Sequence, residues 1–142
     1  NVPDACIGAD VIVGFPGETE DDFIETYNFL NELNISYLHV FTYSERSNTG
    51  AVEMGERVSK ETKADRSKML HILSDKKQRY FHDQFINKNR PVLFENIKNG
   101  KIIGHTDNYI KVQVEGGASL INMIQSVMMK ENHTSLVSGV LN

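Results

Sequence analysis

The pattern of apolar and polar positions changes period once along this chain, near residue 90. Before that point, Val11-Ile12-Val13 is a short apolar run bounded by turn residues, the signature of a buried strand. Gly14, Pro16 and Gly17 break it, and Thr19 with Asp22 three residues later makes a capping box with Asp in the place of Glu, so a helix opens at about Glu20. Through residues 20–33, Phe23, Tyr27 and Leu30 recur at helical spacing, with Ile24 and Leu33 widening the stripe. Asn34 ends that helix, and Ile35 to Tyr43 reads as a strand with apolar residues on both faces, as in a parallel sheet covered on both sides. Ser59 caps a long helix to about Asn87, with Met69, Leu73, Lys76 and Tyr80 on one stripe and Leu70, Ile72 and Phe81 beside it.

Beyond Asn87-Lys88-Asn89-Arg90-Pro91 the period shortens. Short strands are predicted at Val92–Glu95, Lys101–His105, Tyr109–Val114, Met123–Met129 and Leu136–Val140. Turn signals separate them at Asn99-Gly100, Asp107-Asn108, Gly116-Gly117 and Glu131-Asn132. About five short strands in about fifty residues imply a small closed barrel. The fold class is therefore α/β followed by all-β. The domain reading is 1–58 for βα units, 59–87 for a connector helix, and 88–142 for the barrel.

Composition adds exclusions. The chain has 142 residues with 39% hydrophobic content and no apolar run near the ~20 residues of a membrane span, so no membrane partner is expected. Asn1-Val2-Pro3-Asp4 lacks the layout of a secretion signal. A single cysteine, Cys6, allows no internal disulfide and cannot alone hold a metal or cluster, and a cytoplasmic protein is the expectation. The net charge of −4 hides an asymmetry: residues 1–59 hold 2 Lys/Arg against 11 Asp/Glu, and residues 60–90 hold 9 against 4. The basic helix, with Lys63, Arg66, Lys68, Lys76, Lys77 and Arg79 off its apolar stripe, suits either a polyanion partner or a plain solvated face.

Candidate chemistry concentrates at two places. The first is the loop after the opening strand, Val13-Gly14-Phe15-Pro16, with Ser44 and Arg46 at the end of the second strand; Arg46 offers a planar fork for a carboxylate. A tight βα turn needs the same glycines, so the loop alone names no ligand. Glu18, Glu20, Asp21 and Asp22 fit the first turn of a helix better than acid–base roles. The second place is the Tyr109 strand. There Ile110, Val112 and Val114 would face the core, while Tyr109 and Lys111 face out, able to stack on a base and attract a phosphate. An outward Tyr–Lys pair is equally ordinary surface.

Asp10-Val11-Ile12-Val13-Gly14-Phe15-Pro16-Gly17-Glu18-Thr19, followed by Asp22-Phe23, resembles the late-barrel motif of radical S-adenosylmethionine enzymes, most closely the methylthiotransferases. Tyr43-Ser44-Glu45-Arg46 with Thr49 and Ala51 is similar to a second pattern of that family, although Ser47 and Asn48 stand where many members have proline and glycine. Val92-Leu93-Phe94-Glu95, then Gly104-His105-Thr106-Asp107-Asn108-Tyr109-Ile110-Lys111-Val112 and a late Gly139, resembles the TRAM domain, a small RNA-binding barrel.

The resemblance implies the end of a radical S-adenosylmethionine partial TIM-type barrel, a connector helix, and a five-stranded TRAM barrel. It implies S-adenosylmethionine beside Val13, Gly14, Phe15, Pro16, Ser44 and Arg46, and tRNA on Lys76, Arg79, His105, Tyr109 and Lys111. Two [4Fe–4S] clusters are implied for the parent enzyme, their cysteines lying outside these residues. No catalytic or metal-ligating residue is expected here, and the fragment alone should be inactive. The substrate implied is a hypermodified adenosine beside the tRNA anticodon, the threonylcarbamoyladenosine-type branch being favoured. The alternatives are an aspartate of a ribosomal protein, or a non-catalytic RNA-binding module. An incomplete barrel also implies the missing N-terminal part of the same chain as a partner, or dimerisation through an exposed edge.

Overall fold

The computed structural model describes residues 2–45, 50, 54 and 56–142. The elements run β1 (Gly8–Val13), α1 (Glu20–Glu32), β2 (Tyr37–Thr42), α2 (Lys60–Asp83), then β3 (Asn89–Lys98), β4 (Lys101–Thr106), β5 (Lys111–Glu115), β6 (Ile124–Asn132) and β7 (Val137–Leu141). They form two compact units, Ile7–Ser74 and, separately, Asp75–Asn142 with the chain up to Cys6. The expected order of an α/β part followed by a five-stranded barrel holds.

In the first unit β1 and β2 pair in parallel, Gly8 opposite Tyr37 through Val13 opposite Thr42. Thr19 caps α1 as expected: its hydroxyl accepts from the Asp22 N–H at 3.1 Å, and the Asp22 carboxylate accepts from the Thr19 N–H at 2.9 Å. The Thr19 hydroxyl also donates to the Asp22 carboxylate at 2.6 Å, and that bond, with the one from the Thr19 N–H, holds the Asp22 carboxyl below its ordinary pKa. Val13, Phe23, Leu30, Leu38, Leu70 and Leu73 form the core. The Ser74 hydroxyl ties α2 to β2, accepting from the Leu38 N–H at 2.9 Å and donating to the Leu38 carbonyl at 3.1 Å.

Two expectations need correction here. Among the described residues of this unit the sheet is covered on one face only, by α1 and the first half of α2. Ile12 and Phe41, on the other face, are 57% and 52% exposed. The buried stripe of α2 is also rotated from the expected one. Arg66, Leu70, Leu73 and Phe81 go inward, whereas Met69, Ile72 and Tyr80 are exposed. Leucine at 70 and 73 with phenylalanine at 81 buries more apolar area than the Met69–Tyr80 stripe, which decides the helix's rotation.

The second unit is a closed barrel in the order β3-β4-β5-β7-β6, antiparallel except for the β5–β7 pair. Asn99 and Gly100, both at positive φ, make the tight hairpin between β3 and β4. Val92, Phe94, Ile102, Ile110, Val112, Val114, Val127, Met129 and Val137 fill the barrel, with Phe81 and Phe85 packed against them at a T-shaped ring separation of 5.2 Å. After Asp83 the chain continues in tighter turns, Phe85 N–H to the His82 carbonyl at 3.0 Å, which carries Phe85 inward. Strand β3 starts at Asn89 rather than Val92 and runs to Lys98 with a bulge between Phe94 and Asn96.

The Tyr109 strand is shorter than expected. Tyr109 lies at φ +68° in the turn before β5, where its N–H donates to the Thr106 carbonyl at 3.0 Å. The Thr106 hydroxyl accepts from the Ile110 N–H at 2.9 Å and donates to the Asn108 side-chain carbonyl at 2.6 Å. That bonding closes a turn over Thr106–Ile110 and delays the ladder to Lys111.

Candidate functional site

At the carboxyl ends of β1 and β2 the Gly14–Gly17 loop is held by its own backbone and by α2. Gly14 has φ +76° and is buried, and a Cβ there would strike the Lys63 side chain within 2.9 Å. The Gly14 N–H donates to the Glu18 carboxylate, the Glu18 N–H donates to the Phe15 carbonyl at 3.0 Å, and the Gly17 N–H to the Glu56 carbonyl at 2.9 Å. Phe15 stands edge-on to Tyr43 with ring centres 5.1 Å apart, and the Lys63 ammonium lies 5.4 Å over the Tyr43 ring.

The expected cofactor-facing residues thus divide. Phe15 and Ser44 are exposed at this rim and Pro16 is half-buried. Val13 sends its side chain into the core, and its carbonyl accepts from the Tyr43 N–H at 2.9 Å. Arg46, with Ser47, Asn48, Thr49 and Ala51, lies outside the described residues. What the rim presents outward is the Phe15 ring and the Ser44 hydroxyl. Among the described residues no group of three or more His, Cys, Asp or Glu is placed to hold a metal. Cys6 is half-buried against the barrel core.

Sequence reading missed the strongest polar feature of this unit. Arg66, expected among the solvent-facing cations, is 5% exposed. It donates to the Glu18 carboxylate at 2.8 Å, to the Glu18 carbonyl at 3.2 Å and to the Glu20 carboxylate at 3.0 Å, and its guanidinium lies 5.3 Å over the Phe23 ring. Burial opposes its charge, but the bonds to Glu20 and Glu18 outweigh that, so its pKa is raised. The signal was its spacing: Arg66 falls four residues before Leu70, in line with the inward stripe.

On the barrel, strand register lines up a row of side chains. Ile124 pairs with Leu93, Leu93 with His105, and His105 with Lys111. Directly paired residues share a face, so the four run side by side across β6, β3, β4 and β5. Tyr109 is 80% exposed at the end of this row, its ring 5.5 Å from that of His105. The His105 Nδ1 meets the Glu95 carboxylate at 2.7 Å. Nearby, Arg90 is bound at 2.7 Å by Asp107 and at 2.9 Å by Asp4. The face is aromatic and apolar, with Lys111 as its cation and Glu95 and Asp107 as flanking acids.

Lys76 is exposed on α2, whereas Arg79 donates to the Thr134 hydroxyl at 2.7 Å. Beside it His82 is buried with its Nδ1 unpartnered, and burial holds its pKa below the ordinary value. The expected RNA-facing group therefore reduces to His105, Tyr109 and Lys111 together on the barrel, with Lys76 and Arg79 apart on the helix. Leu93, Ile124 and Glu95 join them through strand register, which turn signals alone do not supply. No helix among the described residues is long and apolar enough to cross a membrane.

A parallel βα unit with a Gly-Phe-Pro-Gly loop, followed by a small closed barrel with an aromatic face, is the class of protein this geometry defines. No protein-family model matches the chain. Among curated proteins it is 39% identical over 131 residues to the threonylcarbamoyladenosine tRNA methylthiotransferase MtaB of Bacillus subtilis. It is 40% identical over 116 residues to the protein of that name from Aquifex aeolicus. To a tRNA-2-methylthio-N(6)-dimethylallyladenosine synthase of Acetivibrio thermocellus it is 34% identical over 142 residues. These alignments cover 89%, 82% and 98% of this chain and 29%, 27% and 30% of the respective relatives. Over most of its length the chain is a homologue of the tRNA methylthiotransferases, and it spans about three tenths of the relatives it matches.

Proposed function

We propose that this chain is the C-terminal part of a radical S-adenosylmethionine methylthiotransferase acting on a hypermodified adenosine beside the tRNA anticodon. Homology over nearly the whole chain to two kinds of tRNA methylthiotransferase carries this reading. The threonylcarbamoyladenosine branch is favoured, narrowly, by the 39% and 40% matches against 34–38% for the dimethylallyl type. Residues 1–58 then belong to the catalytic barrel, 59–87 to a connector, and 88–142 to a TRAM domain. The bare face of the β1–β2 sheet, with Ile12 and Phe41, is the surface that the rest of a longer chain would cover; in its absence, a second copy pairing strand to strand at the sheet's edge would make a dimer.

Bound S-adenosylmethionine and two [4Fe–4S] clusters, held by residues elsewhere in the parent, would supply the radical and the sulfur for methylthiolation. This chain's own part is to hold and to exclude. The Gly14–Gly17 backbone, its donors at Gly14 and Gly17 already used internally, offers the Phe15 ring to an adenine and keeps water from it. Ser44 offers a hydroxyl to the same ligand. On the barrel, Tyr109 and His105 offer ring faces to an unpaired base, Leu93 and Ile124 offer apolar contact, and Lys111 attracts a phosphate.

Binding of the chain to a labelled anticodon stem-loop across a salt series tests this reading. The expected affinity falls fivefold or more in Tyr109→Ala, with a shallow salt slope of about −0.7 per neutralised phosphate, because Lys111 is the cation of the row. No binding at low salt would contradict the assignment of RNA recognition to the barrel.

A further inference from the structure

The Gly14–Gly17 loop is shaped from outside itself. Its first N–H, that of Gly14, ends on the Glu18 carboxylate, and the same carboxylate oxygen receives the Arg66 guanidinium from α2. Arg66 also binds the Glu18 carbonyl at 3.2 Å and the Glu20 carboxylate at 3.0 Å, so both ends of the turn into α1 rest on one side chain. That side chain is almost wholly buried and stacked on Phe23, while its Nε has no hydrogen-bond partner. A buried arginine kept with one donor unsatisfied is a poor device for stability, since an apolar residue of similar volume generally does as well or better. What an apolar residue could not do is fix the direction of the Glu18 carboxylate, and through it the Gly14 N–H.

We infer that Arg66 and Glu18 are positioning residues for the ligand that occupies the Phe15 rim. Together they hold Gly14 in its left-handed conformation, and so turn the Phe15 ring outward beside Tyr43 before any ligand arrives. The inference rests on the reading of that rim as the adenosyl site of S-adenosylmethionine. It adds that affinity there depends on a side chain on a helix that touches no ligand. A prearranged loop spares the ligand the entropy of ordering it, so loosening the loop weakens binding without altering chemistry.

Amide hydrogen exchange on the 142-residue chain, followed residue by residue by NMR, tests the clamp. In Arg66→Met and in Glu18→Gln the Gly14 amide should exchange about tenfold faster or more, as expected for loss of a bond to a charged acceptor, while the Phe23 and Leu70 amides keep their protection. Arg66→Lys, which keeps the charge without the fork, should restore part of the Gly14 protection. Unchanged Gly14 exchange in both Arg66→Met and Glu18→Gln would overturn the clamp. In the longer parent enzyme Arg66→Lys should raise KM for S-adenosylmethionine several-fold at unchanged kcat. If Phe15→Ala raises that KM and Arg66→Lys does not, the positioning role is overturned and the rim remains the ligand site. If neither raises it, the reading of the rim falls, and the positioning role with it.

Discussion

Gly104 lies against the β3 backbone, and its replacement by alanine tests how the barrel is built. A Cβ at this position would stand 2.0 Å from the Leu93 carbonyl oxygen, 2.7 Å from the Leu93 carbonyl carbon and 2.8 Å from the Phe94 Cα. All three are backbone atoms, so no rotamer change relieves the contact. Reaching ordinary contact requires the strands to part by about 1.4 Å, enough to break the ladder bonds at that point. Losing about two such bonds with their groups still buried costs about 2–4 kcal/mol, a large share of the ~5–15 kcal/mol that holds an ordinary domain. Urea unfolding followed at barrel amides such as Val112 should show Gly104→Ala shifted down by about 1–2 M. Gly100→Ala provides the contrast: its φ is +79° but nothing lies within 4 Å, so strain alone should cost about 1 kcal/mol. A Gly104→Ala protein within about 0.5 kcal/mol of the parent would refute the close-approach reasoning. Because Gly104 precedes His105 and faces Phe94 beside Leu93, the same substitution should also disturb the aromatic row and lower RNA affinity.

Three further outcomes follow from the geometry. Tyr109→Ala should leave the unfolding midpoint within about 0.5 kcal/mol, since the ring is exposed, while costing about 1–3 kcal/mol of single-stranded RNA affinity; equal losses in both would mean the ring is structural. Burial lowers the His82 pKa below 6.5, so the folded state holds fewer protons than the unfolded chain in that range. Its contribution to stability is therefore complete above pH ~6.5 and declines as pH falls toward the lowered value, by at most about 1.4 kcal/mol per unit; denaturation of His82→Gln between pH ~7.5 and ~5.5 should show a flatter dependence. Phe85→Ala should destabilise the barrel by about 3–5 kcal/mol, because the ring is wholly buried among barrel residues, and a loss under about 1 kcal/mol in calorimetry would contradict that placement.

Much of the architecture was legible because local signals and packing agree. Asn99-Gly100 does form the hairpin it predicts, the Thr19–Asp22 box does cap α1, and Ile110, Val112 and Val114 do alternate into the barrel. Failures came where a side chain acts against its type. Arg66 reads as surface charge because an arginine in an apolar stripe looks like a solvated one until Glu18 and Glu20 are brought to it. Tyr109 reads as part of a strand because its neighbours keep period two, yet the Thr106 hydroxyl closes a turn that a pattern of apolar positions does not register. The row Ile124–Leu93–His105–Lys111 depends on register across four strands, and a bulge after Phe94 shifts that register in a way the residue order does not announce.

If the proposed function holds, the nucleosides of tRNA change when this protein is lost. Mass spectrometry of total tRNA from cells with and without the gene that encodes it should show one 2-methylthio-modified adenosine disappear and its unthiolated precursor accumulate. Loss of the threonylcarbamoyl form would confirm the favoured branch, and restoring the gene with Arg66→Met should return less of the modification than the unaltered gene. An unchanged nucleoside profile in cells lacking the gene would contradict the account.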